Sequence, residues 1–158
     1  MIPDLIALTG APWKVLPPGI HSATLAEVEV AFAINPPRRE LFMGLVDGAA
    51  SLKWSGCVEL YLDGSFVTAK PIPADYDACW NPAGVDRRKL DSVFFDFTNL
   101  RQTQKAKFKG EYFPSTLSNK PNQPFIEFFQ IERFSGGRKG IVSIDLTKEP
   151  TLTRRTSP

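Results

Sequence analysis

Histidine and cysteine are scarce: the 158 residues hold one of the first and two of the second. A single histidine cannot build His-rich metal sites or His-pair catalysis. Cys57 and Cys79 alone make neither a disulfide scaffold nor a zinc site. No apolar run approaches the roughly 18 residues of a membrane-spanning helix, so no membrane association is expected. Asp4 precedes a short apolar run with no basic region before it, which does not read as a secretory signal. These absences together give the expectation of a reducing, cytoplasmic setting. Internal repeats and low-complexity blocks are also missing. Charge of either sign is not in excess: 19 basic against 17 acidic residues leave a net +2. That balance suits a phosphate-bearing ligand but lacks the basic surplus of a dedicated nucleic-acid binder. Proline is plentiful, with 14 residues placed in pairs or near segment ends, where they act as punctuation.

The length fits one domain, large enough to bury a core without staples. Residues 1–20, broken by Pro3, Pro12, Pro17, Pro18 and Gly19, read as an irregular N-terminal arm. Residues 21–146 read as a single domain, and 147–158, with Lys148, Arg154 and Arg155, as a loose C-terminal tail. Thr24 and Glu27 fit a capping box opening a short helix to about Ala33. Pro36-Pro37 ends it, and Pro37 suits the first turn of the next helix. Leu41, Phe42, Leu45, Val46, Ala49 and Leu52 then recur at helical spacing up to a stop at Gly56. Patterning predicts strands over 57–62, 75–80, 106–113, 125–131 and 140–146, and a helix over 84–97. This order describes an α+β, mixed α/β domain: a mixed sheet with helices packed against it. Phe94, Phe95, Phe97, Phe125, Phe128 and Phe129 are expected in the core, Cys57 and Cys79 as buried small hydrophobes, and His21 and Trp80 in structural roles.

The chemistry concentrates in residues 62–80. Asp75 and Asp77 are two apart on a predicted strand, so their carboxyls share a face while Tyr76 points to the other. Two carboxylates that close repel each other unless a cation lies between them, and a hard divalent ion such as Mg²⁺ bound with substrate phosphates is the natural solution. Gly64-Ser65 directly follows a strand. Glycine lets a ligand approach the backbone, and the Ser65 hydroxyl with nearby N–H groups can hold phosphate oxygens. Lys70, between the two halves, can reach a phosphate. Taken singly, each feature is also what an ordinary turn or solvated strand would show. Arg101, Lys105, Lys107 and Lys109 read as a solvated loop and strand face or as a holder for a triphosphate or acidic acceptor. Arg38 and Arg39, at a helix start where the dipole disfavours them, hint at an external anion or acidic partner.

The combination is more specific. Leu62-Asp-Gly-Ser65, nine residues, then Asp75-Tyr-Asp77 resembles the signature of the nucleotidyltransferase superfamily that includes DNA polymerase beta. From Leu16 to Leu146 the chain also resembles short bacterial nucleotidyltransferase-like proteins, through the segment ending at His21, residues 61–68, Gly110-Glu-Tyr-Phe-Pro114, Phe125-Ile-Glu-Phe-Phe-Gln130 and Lys139-Gly-Ile-Val142. The resemblance implies that Gly64 and Ser65 bind the triphosphate of an NTP and that Asp75 and Asp77 bind metal. It implies Mg²⁺, two ions in the active complex, with Mn²⁺ as a substitute. A third acid on a neighbouring strand would complete the metal site and help activate the attacking hydroxyl. Glu127, inside a very apolar predicted strand, is the first candidate, followed by Glu111 and Asp145. The resemblance further implies transfer of an NMP to a hydroxyl of an RNA, such as tRNA, or of a protein, and a setting in toxin–antitoxin or defence modules with an antitoxin or other protein partner. A rival reading is a non-catalytic nucleotide-sensing or partner-binding module on the same fold, because no separate acceptor-binding domain is evident.

Overall fold

The computed structural model describes residues 1–120 and 122–153. The capping box forms as expected: Glu27 N–H donates to Thr24 Oγ1 and Thr24 N–H donates to Glu27 Oε2. A cap of this kind is worth about 1 kcal/mol and sets the start of α1 (Leu25–Phe32). Asn35 then caps α2 (Pro36–Trp54), with the proline pair at its first two positions, where a missing N–H costs nothing.

Five strands form one mixed sheet in the order β1 (Gly19–Ser22), β7 (Gly140–Asp145), β2 (Glu59–Asp63), β3 (Tyr76–Trp80), β4 (Gly110–Pro114). β2 is antiparallel to both its neighbours, while β1–β7 and β3–β4 are parallel. A small ribbon, β5 (Ser118–Lys120) with β6 (Gln123–Pro124), follows β4. The α+β expectation therefore holds, and the two motif strands are neighbours.

Strand alternation sorts the sheet's two faces. Leu60, Leu62, Tyr76, Ala78, Trp80 and Tyr112 point into the main core beneath α1, α2 and α3 (Thr98–Phe108). Tyr61, Cys79 and Phe113, opposite one another in register, point to the other face, where Phe125 and Phe129 of α4 (Phe125–Phe128) and its C-cap cover them. α2 approaches β4 closely because Gly48 has no side chain: a Cβ there would lie 2.1 Å from the Tyr112 hydroxyl. That hydroxyl pairs with Tyr76 Oη at 2.7 Å, and Tyr76 donates in turn to the Phe108 carbonyl at 2.6 Å.

Several expectations are corrected. Residues 84–97 do not form a helix; they make turns and a 3-10 segment at Ser92–Phe95. Asp86 and Asp91 accept from the N–H groups of Arg88 and Val93, and these local bonds compete with a continuous helix. The first part of the predicted 106–113 strand is the end of α3, and β4 begins only after Lys109, which has a left-handed backbone. Residues 125–131 are not a strand. Pro124 starts a helical turn in which Phe125 and Phe129, one turn apart, both pack on Phe113. Of the predicted core phenylalanines, Phe94 and Phe129 are buried, whereas Phe95, Phe97 and Phe128 are exposed. The arm is not wholly irregular, since its end forms β1 and Val15 and Leu16 are buried. The tail docks at its beginning: the Glu149 carboxylate accepts from Leu25 N–H at 2.8 Å and its carbonyl from Lys53 Nζ at 2.6 Å. Residues 154–158, including Arg154 and Arg155, lie outside the described residues.

Replacing Gly48 by alanine should displace Tyr112 and break its contact with Tyr76. We expect a loss of about 1–3 kcal/mol in urea denaturation; an unchanged midpoint would mean that this close approach is not rigid.

Candidate functional site

Strand register builds the site. Asp63, the last residue of β2, stands opposite Asp77 of β3, and Asp77 stands opposite Glu111 of β4. Three carboxyls thus form a row across three adjacent strands on one face of the sheet. Asp75, two residues before Asp77, adds a fourth on the same side.

Gly64 makes the junction of the two motif halves possible. Its φ is 86°, and a Cβ at this position would lie 2.9 Å from Asp77 Oδ2 and 3.0 Å from Asp77 N. Only glycine fits both the backbone and the space. Ser65 then opens a 3-10 turn, Ser65–Val67, and with Lys70, Asp75 and Asp77 it lines a cleft of about 1230 Å³.

Arg38 braces this segment. It is only 2% exposed, and its guanidinium donates to the carbonyls of Phe32, Phe66, Thr68 and Lys70 at 3.1, 2.7, 2.8 and 2.5 Å. It also lies over the Phe66 ring. The external-anion reading of Arg38 is therefore corrected: its two Nη groups donate inside the protein, mostly to the backbone that follows Gly64-Ser65.

The acids are unequally charged. Burial pushes Asp77 well above the usual carboxylate range, reinforced by a hydrogen bond with Glu111 and by the charges of Asp63, Glu111 and Asp75. Burial also acts to raise Glu111, but hydrogen bonds from Asp77 and Lys105 and the Arg101 charge outweigh it, so Glu111 is lowered. The two carboxyls are thus pushed apart, Asp77 towards its protonated form and Glu111 towards its ionised form. Asp75 is raised by burial and by the charge of Glu111, against the opposing pull of Lys105, Lys70 and Arg101. Asp63 is raised by burial although Lys139 Nζ donates to its Oδ1.

Arg101 Nε and Lys105 Nζ each lie 3.1 Å from Glu111 Oε1, and Lys105 lies 3.9 Å from Asp75. Arg101 stands in the non-helical stretch near the start of α3, and Lys105 follows on its regular turns, where Gln104 and Phe108 form the buried face. Gln104 ties that face to the sheet by accepting from Tyr112 N–H at 2.8 Å and donating to the Val93 carbonyl at 3.1 Å. Arg101 also stacks on Phe113, two residues from Glu111 on β4. Its backbone ends a run of three left-handed residues, Asn99, Leu100 and Arg101, a conformation costing on the order of 1–2 kcal/mol per residue. The expected basic run thus divides. Arg101 and Lys105 turn into the acids, and Lys107 pairs with Asp91.

The candidates for a third acid separate by register and burial. Glu111 is in register with Asp77, although like Glu127 it does not line the cleft. Glu127 sits exposed on α4, because its segment is helical rather than a strand beside β3. Asp145 is opposite Glu59, at the far end of β2 from Asp63, and it caps the turn at Thr147. His21 is held by the Pro17 carbonyl at 2.6 Å, and Cys57, Cys79, Tyr76 and Trp80 are buried. Asp63 and Lys139 were missed in the sequence. Asp63 adjoins Gly64-Ser65 directly, which was a usable signal; Lys139, distant in sequence, carried none.

Among the described residues, no group of three or more His, Cys, Asp or Glu side chains is arranged to hold a metal ion. The donor types still suit a hard divalent cation, since Asp75, Asp77 and Glu111 offer carboxylate oxygens on one face of the sheet. Among the described residues no helix is long and apolar enough to cross a membrane.

A carboxyl raised in the folded state adds stability that is complete below its unfolded value, near pH 3.9 for Asp, and is lost as pH rises through the folded value. Asp77→Asn keeps the size of the side chain and cannot ionise. It should therefore melt higher than the wild type at about pH 8, with the difference shrinking towards about pH 5. A difference independent of pH would contradict the protonated Asp77.

No curated protein and no solved structure matches the chain. The model of one family, described as a family of unknown function (DUF6932), matches residues 11–145. That span takes in every strand of the five-stranded sheet and all four acids of the site. The chain therefore belongs to the family of unknown function DUF6932.

Proposed function

We propose that the protein is a metal-dependent nucleotidyltransferase that moves an NMP from an NTP to a hydroxyl of an RNA or protein acceptor. The observation that carries this reading is the meeting of Gly64-Ser65 with Asp77 on adjacent strands, with Glu111 in register beside Asp77. Nucleotide phosphates would lie along Ser65 and Lys70. Mg²⁺ held by Asp75, Asp77 and Glu111 would neutralise phosphate charge and acidify the attacking hydroxyl. Asp77 would give up its proton when the cation takes that proton's place. Glu111, already ionised, would accept the proton of the acceptor hydroxyl. The acceptor oxygen bonds to the α-phosphorus, the bond from that phosphorus to the bridging oxygen breaks, and pyrophosphate leaves. Lys139 pairs with Asp63 and so offsets part of the charge that Asp63 places beside Asp77.

One observation favours the rival, a nucleotide-sensing or partner-binding module. Arg101 and Lys105 already serve Glu111, which lessens its demand for a metal. Under either reading, an RNA, protein or antitoxin-like partner in a toxin–antitoxin or defence setting in the bacterial cytoplasm extends the proposal.

The test is incubation with Mg²⁺, each α-labelled NTP, bulk tRNA and a cell lysate, alongside the Asp75→Asn/Asp77→Asn protein. We expect label in an RNA or protein band that vanishes in the double variant. No label in any lane, with NTP binding indifferent to Mg²⁺, would replace the enzyme reading with the binding module.

A further inference from the structure

The cleft is larger than a triphosphate and its metals need, and part of its lining has a different chemistry. It contains Trp13, Phe128 and Phe134, with Gly10 and Ala11 beside them. Trp13 is 41% exposed, whereas Trp80 is 1% exposed. Among the described residues no other ring and no cation packs on the Trp13 indole. A large apolar ring left uncovered at the mouth of a cleft is a contact surface waiting for a ligand.

The segment carrying Trp13 is fixed on several sides. Ile6 and Val15 exchange two backbone hydrogen bonds, at 2.8 and 2.9 Å, which folds residues 6–15 into a loop. The tip of that loop rests on the far wall: an ideal Cβ at Gly10 would lie 3.1 Å from Ser135 Cβ, and one at Gly137 would lie 3.3 Å from the Leu8 methyls. Its other end is tied to the phosphate side, where Ala69 N–H donates to the Lys14 carbonyl at 2.9 Å. Leu16 is anchored to Gly140 N–H at 2.9 Å, next to Lys139. Residues 8–15 thus form a strap across the cleft. Trp13 is held one residue from Lys14, whose partner Ala69 directly precedes Lys70.

We propose that Trp13 is the platform on which the base of the bound nucleotide stacks, the strap serving to hold it at a fixed distance from Ser65 and Lys70. This rests on the nucleotidyltransferase reading for the phosphate end of the ligand. A molecule that is polyanionic at one end and a flat aromatic at the other matches the groups that line this one cleft: the carboxylates of Asp75 and Asp77, Ser65 with Lys70, and the Trp13 indole. Stacking on an indole face is tolerant of base identity, so the platform adds affinity for any nucleobase rather than choosing one.

The test compares binding of ATP, GTP, CTP and UTP with binding of inorganic tripolyphosphate, all with Mg²⁺, to the wild type, Trp13→Ala and Trp13→Phe. The tightest NTP should bind about tenfold more weakly to Trp13→Ala, with tripolyphosphate affinity unchanged, and Trp13→Phe should recover most of the loss. Unchanged tripolyphosphate binding also shows that the variant is folded. As a second readout, the NTP should quench tryptophan fluorescence in the wild type and not in Trp13→Phe. NTP affinity untouched by Trp13→Ala, an equal loss for tripolyphosphate, or quenching that persists in Trp13→Phe would each overturn the platform while leaving the phosphate reading standing. Failure of the wild type to bind any NTP or tripolyphosphate would overturn both.

Discussion

Like charge crowded onto one row of the sheet is the constraint around which this molecule is arranged. Asp63, Asp77 and Glu111 occupy register positions on three neighbouring strands, so their separation is set by the hydrogen-bond ladder and not by side-chain choice. Ionising all three in a half-buried cleft is prohibitive. Burial pushes Asp77 towards its protonated form and cations serve the others: Glu111 has Arg101 and Lys105, and Asp63 is paired with Lys139.

Other parts of the chain can be understood as support for that row. Gln104, buried and bonded at both ends of its amide, holds α3 so that Arg101 and Lys105 face Glu111. The left-handed run at Asn99–Leu100–Arg101 is the backbone cost of bringing Arg101 back over β4. Arg38 fastens the chain between Phe66 and Lys70 by its carbonyls and thereby fixes the approach of Gly64 to Asp77. The Lys14 carbonyl, which accepts from Ala69 N–H, ties the N-terminal segment to the same stretch. None of these residues need touch a substrate, yet each limits where the acids and Ser65 can be.

The elements legible in the sequence were those carried by local chemistry. Thr24 with Glu27 announces α1, and the proline pair announces α2. Gly64-Ser65 with Asp75 and Asp77 announces two adjacent strands because the glycine must touch the second strand. What stayed hidden depended on packing. The run Phe125-Ile-Glu-Phe-Phe satisfies a strand and a helical turn equally, and only contact with Phe113 decides for the turn, which moves Glu127 away from the acids. α3 lacks an apolar stripe because it buries Gln104 instead, so its periodicity was silent. The partners Lys139 and Glu111 are supplied by strand order, which no short segment encodes.

The most direct measurement of the central claim is a carboxyl ¹³C NMR titration of aspartate-labelled protein with and without Mg²⁺, assigned through Asp77→Asn. The account predicts that the Asp77 carboxyl titrates well above the ordinary carboxylate range in metal-free protein and that Mg²⁺ lowers its midpoint by displacing the proton shared with Glu111. A midpoint near 3.9 without metal, unmoved by Mg²⁺, would contradict it.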